Sequence, residues 1–385
     1  MYIKTLHWSV WLSATVVTVT VIVGWWSIAR SDNAVLTTAS ATNSHNTKAV
    51  ELRGIWSSYQ VKPDWNTAIQ KLSAANFNAI FPYVCSPGIA YYHSQVLPVS
   101  QFARHHDYLA GAVSAAHKHN IAVHARMLTL EMLFAAEHTK SAFAAAGRLM
   151  INSQGNTAPW LCPTDPRNRQ LLGRIVTELV TNYDIDGLQF DYLRYPGQDY
   201  CLCPRCRQQF AADTGARISQ WPQDILPGGP YAAEFSRWRQ AQLTALLSDL
   251  VTQARTACPS IAISAAVFPR WEEHSERFGQ DTARWVQLGL LDFVAPMNYT
   301  TDRLDFATWL LTQRKAIAGR VPLVVGMGPL SDACQFDDPE QLVEQIQIAR
   351  SFGAGGFIIF KYNQQFAQEY LPYLAEEGTA ILPGP

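Results

Sequence analysis

From Glu51 onward, short apolar runs alternate with longer stretches in which apolar residues return every three or four positions. The first pattern predicts buried strands and the second amphipathic helices. Eight strand-like runs stand out, at residues 52–57, 79–84, 122–127, 187–193, 261–268, 293–299, 323–327 and 356–362. The helical pattern occupies 65–75, 108–119, 166–183, 232–257, 282–288, 306–318, 339–352 and 367–375. Asp165-Pro166 and Asp338-Pro339 read as an N-cap followed by proline at the first helical position. Eight βα units in roughly 330 residues predict a (β/α)8 TIM barrel with long loops at its C-terminal face. A doubly wound open sheet is the alternative, but no GxGxxG or GxxxxGK[ST] follows the first strand to cradle a nucleotide.

The pattern is different before Glu51. Residues 8–29 carry no charged side chain, follow Lys4 and His7, and precede Arg30 and Asp32. Such a run can span a bilayer at roughly 1.5 Å per residue. Trp8, Trp11, Trp25 and Trp26 at its ends fit an uncleaved signal anchor, while Ser27-Ile28-Ala29 offers the cleavage site of a signal peptide. Both readings place the body outside the cytoplasm, periplasmic or secreted, and the first makes the membrane a partner. Residues 31–50 are rich in Ser, Thr, Ala and Asn and read as a flexible linker. The predicted organisation is therefore a signal anchor or signal peptide at 1–30, a linker at 31–50 and one barrel domain at 51–385.

Composition narrows the function. At 48% hydrophobic and 16% charged residues the 385-residue chain can bury a large core, and a net charge of −1 supplies no footprint for nucleic acid. The segment 186–196, DGLQFDYLRYP, holds the most chemistry. Alternation puts Leu188 and Phe190 on one side of its strand and Gln189 and Asp191 on the other. With the apolar pair toward the helices, Asp191 reaches the C-terminal mouth, where barrel enzymes work, and Asp186 is left at the opposite end.

Hydrolysis of a glycosidic bond needs two carboxyl groups. Asp191 is one candidate. Glu131, flanked by apolar residues in MLTLEML that raise a carboxyl's proton affinity, is the leading partner. Glu272, Glu273, Asp302 and Asp332 also follow strand ends. Arg126, Gln189, Arg194, Asn298, Tyr299 and Lys361 are candidates for binding substrate hydroxyls or orienting a carboxylate, as is His124 more weakly. Among the loop aromatics Tyr91, Tyr92, Trp160, Tyr195, Tyr200 and Trp271, the rings of Trp160 and Trp271 are the chosen candidates for stacking on sugars. No catalytic cofactor is predicted, because no HxxxH spacing or His-rich strand end is present.

Seven cysteines remain. Cys201, Cys203 and Cys206 form CxCxxC, a spacing that fits a structural zinc site if Cys162, or next Cys85, supplies the fourth thiolate. In an exported protein disulfides are the rival explanation.

The motifs ELRGIW (51–56), SPGIAYYHS (86–94), DGLQFDYLRYP and DFVAPMNY (292–299) together resemble the glycosyl-hydrolase-like family 10 proteins. These are exported barrel proteins, some linked to peptidoglycan or other cell-surface glycans. The resemblance implies a (β/α)8 fold, glycoside hydrolysis of a polysaccharide, and Asp191 as the family's acid at the end of strand four. In the commoner form a second acid follows that Asp directly; here Tyr192 stands in its place. The cysteine loop is similar to the structural zinc loop of family 42 β-galactosidases. A carbohydrate-binding barrel without catalysis is the alternative function.

Overall fold

The computed structural model of the protein describes residues 50–58 and 63–378, all within one unit, Ala49–Pro385. Eight parallel strands form its centre: β1 (Leu52–Ser57), β2 (Ala79–Phe81), β3 (Ala122–Leu128), β4 (Gly187–Asp191), β5 (Ala262–Val267), β6 (Phe293–Pro296), β7 (Val324–Met327) and β8 (Gly356–Tyr362). Neighbours pair in the order β6-β5-β4-β3-β2-β1-β8-β7. Parallel bridges Val294–Leu323 and Met297–Gly326 then join β6 to β7 and close the ring. The (β/α)8 barrel is therefore present, and all eight predicted strands take part in it.

Among the described residues, the α-helices of six residues or more are α1 (Trp65–Ala74), α2 (Tyr108–His117), α3 (Glu137–Ala145), α4 (Pro166–Asn182), α5 (Pro204–Thr214), α6 (Ala232–Ala257), α7 (Trp271–Phe278), α8 (Thr282–Gln287), α9 (Arg303–Ile317) and α10 (Pro339–Ser351), and a run of short helical turns follows over Phe366–Gly378. Asp165 and Asp338 cap α4 and α10 as expected, each carboxylate accepting from a backbone N–H of the first turn. Helices α3, α5 and α7 were not foreseen. They lie inside the long loops after β3, β4 and β5, where charge-rich sequence weakens the apolar period, and α3 buries no residue at all.

Alternation along the strands makes two cores. Ile55, Ile80, Val123, Leu188, Phe190, Ile263, Val325 and Ile359 face outward against the helices. Trp56, Ala79, Phe81, Ala266, Phe293, Ala295, Val324 and Ile358 face the barrel axis. The inner set mixes large rings with positions that have no side chain. A Cβ at Gly187 would lie 2.0 Å from the His124 ring, at Gly54 2.8 Å from Phe81, and at Gly326 2.9 Å from Trp56. Each glycine thus vacates the volume that a ring on a nearby strand fills.

At the N-terminal end of the barrel, polar side chains preceding the strands are consumed as latches. Asn78 accepts the Arg53 N–H at 2.8 Å, Asp186 the Val123 N–H at 2.7 Å, and Asp292 the Ile263 N–H at 2.7 Å. Asp186 also meets His117 Nε2 at 2.9 Å, and Asp292 takes two bonds from Arg255. Glu51 holds Arg350 of α10 through both oxygens, fixing the start of the domain to its last long helix.

Among the described residues no helix is long and apolar enough to cross a membrane. The predicted segment 8–29 and, apart from Val50, the predicted linker lie outside the described residues.

Candidate active site

At the C-terminal mouth the strands open into a cleft of about 580 Å³. Its floor and walls include Trp56, Arg126, Asp191, Tyr192, Arg194, Phe268, Tyr299, Asp332, Phe360 and Lys361. Tyr299 and Phe360 stack with centroids 5.9 Å apart, giving one wall a flat apolar face of the kind that sugar rings cover.

Asp191 is the last residue of β4 and is only 2% exposed. Its Oδ1 accepts the backbone N–H of Tyr192 at 2.8 Å, and its Oδ2 lies 3.8 Å from Arg126 Nη1. Arg126, on β3 and 1% exposed, donates from Nη2 to the Ser57 carbonyl at 2.7 Å, so its charge is anchored beneath the carboxylate. Tyr192 has φ of 52°, a left-handed conformation that costs a non-glycine residue about 1 kcal/mol or more. Its ring lines the cleft where the commoner form of the family motif places an acid.

Glu131 follows β3 in a short extended stretch paired antiparallel with the hairpin strand Thr157–Leu161. Glu131 bridges Trp160, flanked by bonds from Met132 N to Pro159 O and from Leu161 N to Leu130 O, each 2.8 Å. The carboxyl is half-buried, and its Oε2 is shut off from solvent with no hydrogen-bond partner. Burial pushes its pKa up to about 7, Arg194 opposes that rise and Asp191 adds to it. Glu131 stands beside the cleft rather than among the residues that line it.

Several other candidates are placed differently from expectation. Gln189 points inward but lies one layer below the mouth, with its amide bonded to Trp56 Nε1 and Ser264 Oγ. Asn298 does not reach the mouth: Met297 and Tyr299 pack toward the axis, so Asn298 turns to the helix layer. There both of its amide groups pair with Gln313 of α9, at 3.1 and 2.7 Å. Trp271 opens α7 and is buried in the outer core, because Trp271 and His274 form the buried face of that helix. Tyr92 and Tyr195 are also fully buried, and Trp160 is buried too, packed against Tyr192 at 5.6 Å rather than lining the cleft as a sugar-stacking ring would. Glu272 and Glu273 are exposed in the first turn of α7, and Asp302 caps α9. Asp332 is exposed and does line the cleft.

Trp56, Phe268, Asp332 and Phe360 line the cleft but were not singled out for binding. For Trp56 and Phe360 a usable signal was strand parity, which puts them in line with inward-facing Gly54 and Ile358.

Cys162, Cys201, Cys203 and Cys206 are all buried, and their sulfurs lie within 4.8 Å of one another. Cys162 Sγ is 3.7 Å from that of Cys203 and 3.5 Å from that of Cys206. A disulfide needs about 2.05 Å, whereas thiolates at about 2.3 Å from a tetrahedral ion sit about 3.8 Å apart. The set can hold a metal ion. Cys85 lies in β2's continuation, Tyr83–Ser86, and is not part of it. The cluster joins the loop after β4 to the hairpin carrying Trp160, and Leu202 N donates to Ile151 O at 2.8 Å alongside it.

A closed barrel with two unlike carboxyl groups at the ends of adjacent strands, beside an aromatic-walled cleft, defines a (β/α)8 protein of the glycosidase type. The chain belongs to the glycosyl hydrolase-like 10 family, whose profile matches residues 7–326. It is 23% identical over 264 residues to the glycosyl hydrolase DigH of Escherichia coli (strain K12), covering 60% of this chain and 56% of that protein. It is 21% identical over 351 residues to the glycosyl hydrolase YngK of Bacillus subtilis (strain 168), covering 78% and 66%. The chain thus matches between about half and two thirds of the length of these relatives. The glycoside hydrolase domain of PgaB (BpsB) from Bordetella bronchiseptica shares the fold, with a TM-score of 0.66 at 15% identity over 86% of this chain and 100% of that one.

Proposed function

We propose that the protein is a glycoside hydrolase acting outside the cytoplasm on a cell-wall or exopolysaccharide glycan, held at the membrane by residues 8–29. Glu131 is the proton donor and Asp191 its partner carboxylate. One observation carries this reading: the two acids follow adjacent strands and sense each other, yet their surroundings differ. Glu131 is poised to keep its proton up to about pH 7. Asp191 instead sits 3.8 Å from the Arg126 guanidinium and accepts a backbone N–H.

In this mechanism the Tyr299–Phe360 face and Lys361 seat the sugar, Glu131 protonates the departing glycosidic oxygen, and Asp191 meets the positive charge that develops at the anomeric carbon. Asp191 acts as nucleophile if configuration is retained and as base toward water if it is inverted; NMR of the first-formed anomer decides between the two. Asp332 offers a second reading of the acid that partners Asp191, in place of Glu131, because it is the other carboxylate lining the cleft. The four cysteines hold a structural zinc ion, since four thiolates leave no open position for substrate or water.

The test is reducing-end release from a panel of cell-wall glycans and exopolysaccharides by the wild type and by Glu131→Gln, Asp191→Asn and Asp332→Asn. Loss of release with retained binding in the first two variants is expected. A larger loss in Asp332→Asn than in Glu131→Gln transfers the partner role to Asp332. A wild type that binds the glycans and releases nothing is a binding barrel, not an enzyme.

A further inference from the structure

Arg194 is half-buried at the cleft and is ringed there by aromatic side chains. Its guanidinium carbon lies 4.9 Å from the ring centroid of Trp160, 4.7 Å from Tyr192, 4.8 Å from Phe268 and 5.6 Å from Phe278. These rings come from four separate pieces of chain: the hairpin after β3, the end of β4, the segment after β5, and α7. Nη1 also reaches the Tyr195 carbonyl at 3.4 Å. Aromatic faces attract a guanidinium and restrict its rotamers, and the group stays charged at every working pH. A positive charge is thereby fixed in space, where a lysine on a free stem would wander.

The box also connects to Glu131. Residues directly opposed in an antiparallel bridge project their side chains to the same face, with Cβ atoms about 5 Å apart. Glu131 and Trp160 form such a pair, and the Trp160 ring is one wall of the box. We propose that Arg194 is a positioning residue for Glu131: the four rings hold its charge at the cleft wall so that the Glu131 carboxyl is set against it.

The electrostatics agree with the geometry. Burial is the largest influence on Glu131, Arg194 is the largest opposing one, and Asp191 and Lys140 contribute less. Tyr192 senses Asp191, Glu131, Arg194 and Arg126, and His274 of α7 senses Arg194 weakly. Without Arg194, desolvation acts on Glu131 with little restraint, and the proton is held too tightly to be given to a leaving group at neutral pH.

This inference rests on Glu131 being the proton donor, but its test does not use turnover. The full-length protein with 13C-labelled glutamate is titrated by carbonyl NMR, with Glu131→Gln identifying the resonance. An opposite charge within about 4–6 Å shifts a carboxyl by about 1 unit or more. Arg194→Gln should therefore raise the Glu131 midpoint by about 1 unit, while Arg194→Lys gives a smaller rise. Phe268→Leu, which loosens the box but leaves the charge, should also raise it. Midpoints in Arg194→Gln and Phe268→Leu equal to the wild type overturn the proposal. If Arg194→Gln does not fold, the Phe268→Leu midpoint decides alone. Catalytic failure with an intact Arg194 effect would remove the hydrolase reading and leave this coupling standing.

Discussion

Strand β4 carries an acid near each end, and the fold treats the two in opposite ways. Asp186, before the strand, spends its carboxylate on the Val123 N–H and His117. Asp191, at the other end, borders a cleft that also holds Arg126, Arg194 and Lys361. Glu131, beside that cleft, keeps an oxygen with no partner at all. Hydrogen bonds of the acids at the N-terminal end are completed by the protein itself, whereas at the C-terminal end the Glu131 carboxyl keeps an acceptor that the protein does not fill. The same division recurs around the ring, with Asn78 and Asp292 latched below and Asp332 exposed above.

The contrast can be broken most severely with the acids. Asp191→Asn should lower kcat/KM by about 10³-fold or more with little change in melting temperature. Asp186→Asn should do the reverse, costing about 1–2 kcal/mol in urea unfolding while activity per folded molecule persists. If Asp186→Asn abolishes turnover in a fully folded sample, the division of labour is wrong.

Two buried titratable groups sharpen the comparison through pH. His124, inside the barrel with Nδ1 unpartnered, has its pKa pushed down to about 4 by burial, so the unfolded chain binds the extra proton more readily. Its contribution is complete above pH 6.5 and lost as pH falls toward 4, by up to about 3 kcal/mol. His124→Phe should flatten that part of the stability profile.

Glu131 runs the other way. Its folded-state pKa is raised, so the favourable term is present below pH 4.5 and lost as pH climbs through about 7. Glu131→Gln should then be more stable than wild type at pH 8, on the order of 2 kcal/mol by urea unfolding, although it is inactive. An unchanged or lower stability at pH 8 would show that the carboxyl is solvated rather than poised.

The smallest expected effect concerns the cysteines. Cys203→Ser, or stripping the metal with a chelator, should lower the melting temperature by several degrees, with activity falling because the hairpin that carries Trp160 loosens. Metal analysis of the reduced wild type should give about one zinc per chain.

The eight strands were legible because a period of two survives wherever one face meets helices and the other meets the axis. Asp191 was legible for the same reason. Asn298 was misplaced although parity opposite to Met297 and Tyr299 was available to locate it. Trp271 and Tyr92 were misjudged because a ring in a long loop reads as exposed until the loop folds into α7, or until Glu178 ties it down. Glu178, on α4, accepts from Tyr92 OH, Ser94 Oγ and Gln95 N, so much of the SPGIAYYHS motif serves a loop anchor. Nothing in the local sequence pairs residue 178 with that loop. The box around Arg194 was equally hidden, since its walls are scattered from Trp160 to Phe278.

The exchange of volume between glycines and rings inside the barrel constrains how this sequence can drift. A methyl group cannot appear at Gly187 while the imidazole of His124 occupies the space, and Gly54 faces the same prohibition from Phe81. Change at such a pair is ordered in time: the ring must shrink first, leaving a tolerable void, and only then can the glycine grow. The opposite order passes through an overpacked intermediate. Lineages descending from this chain should therefore show small residues at the ring position before any side chain appears opposite it.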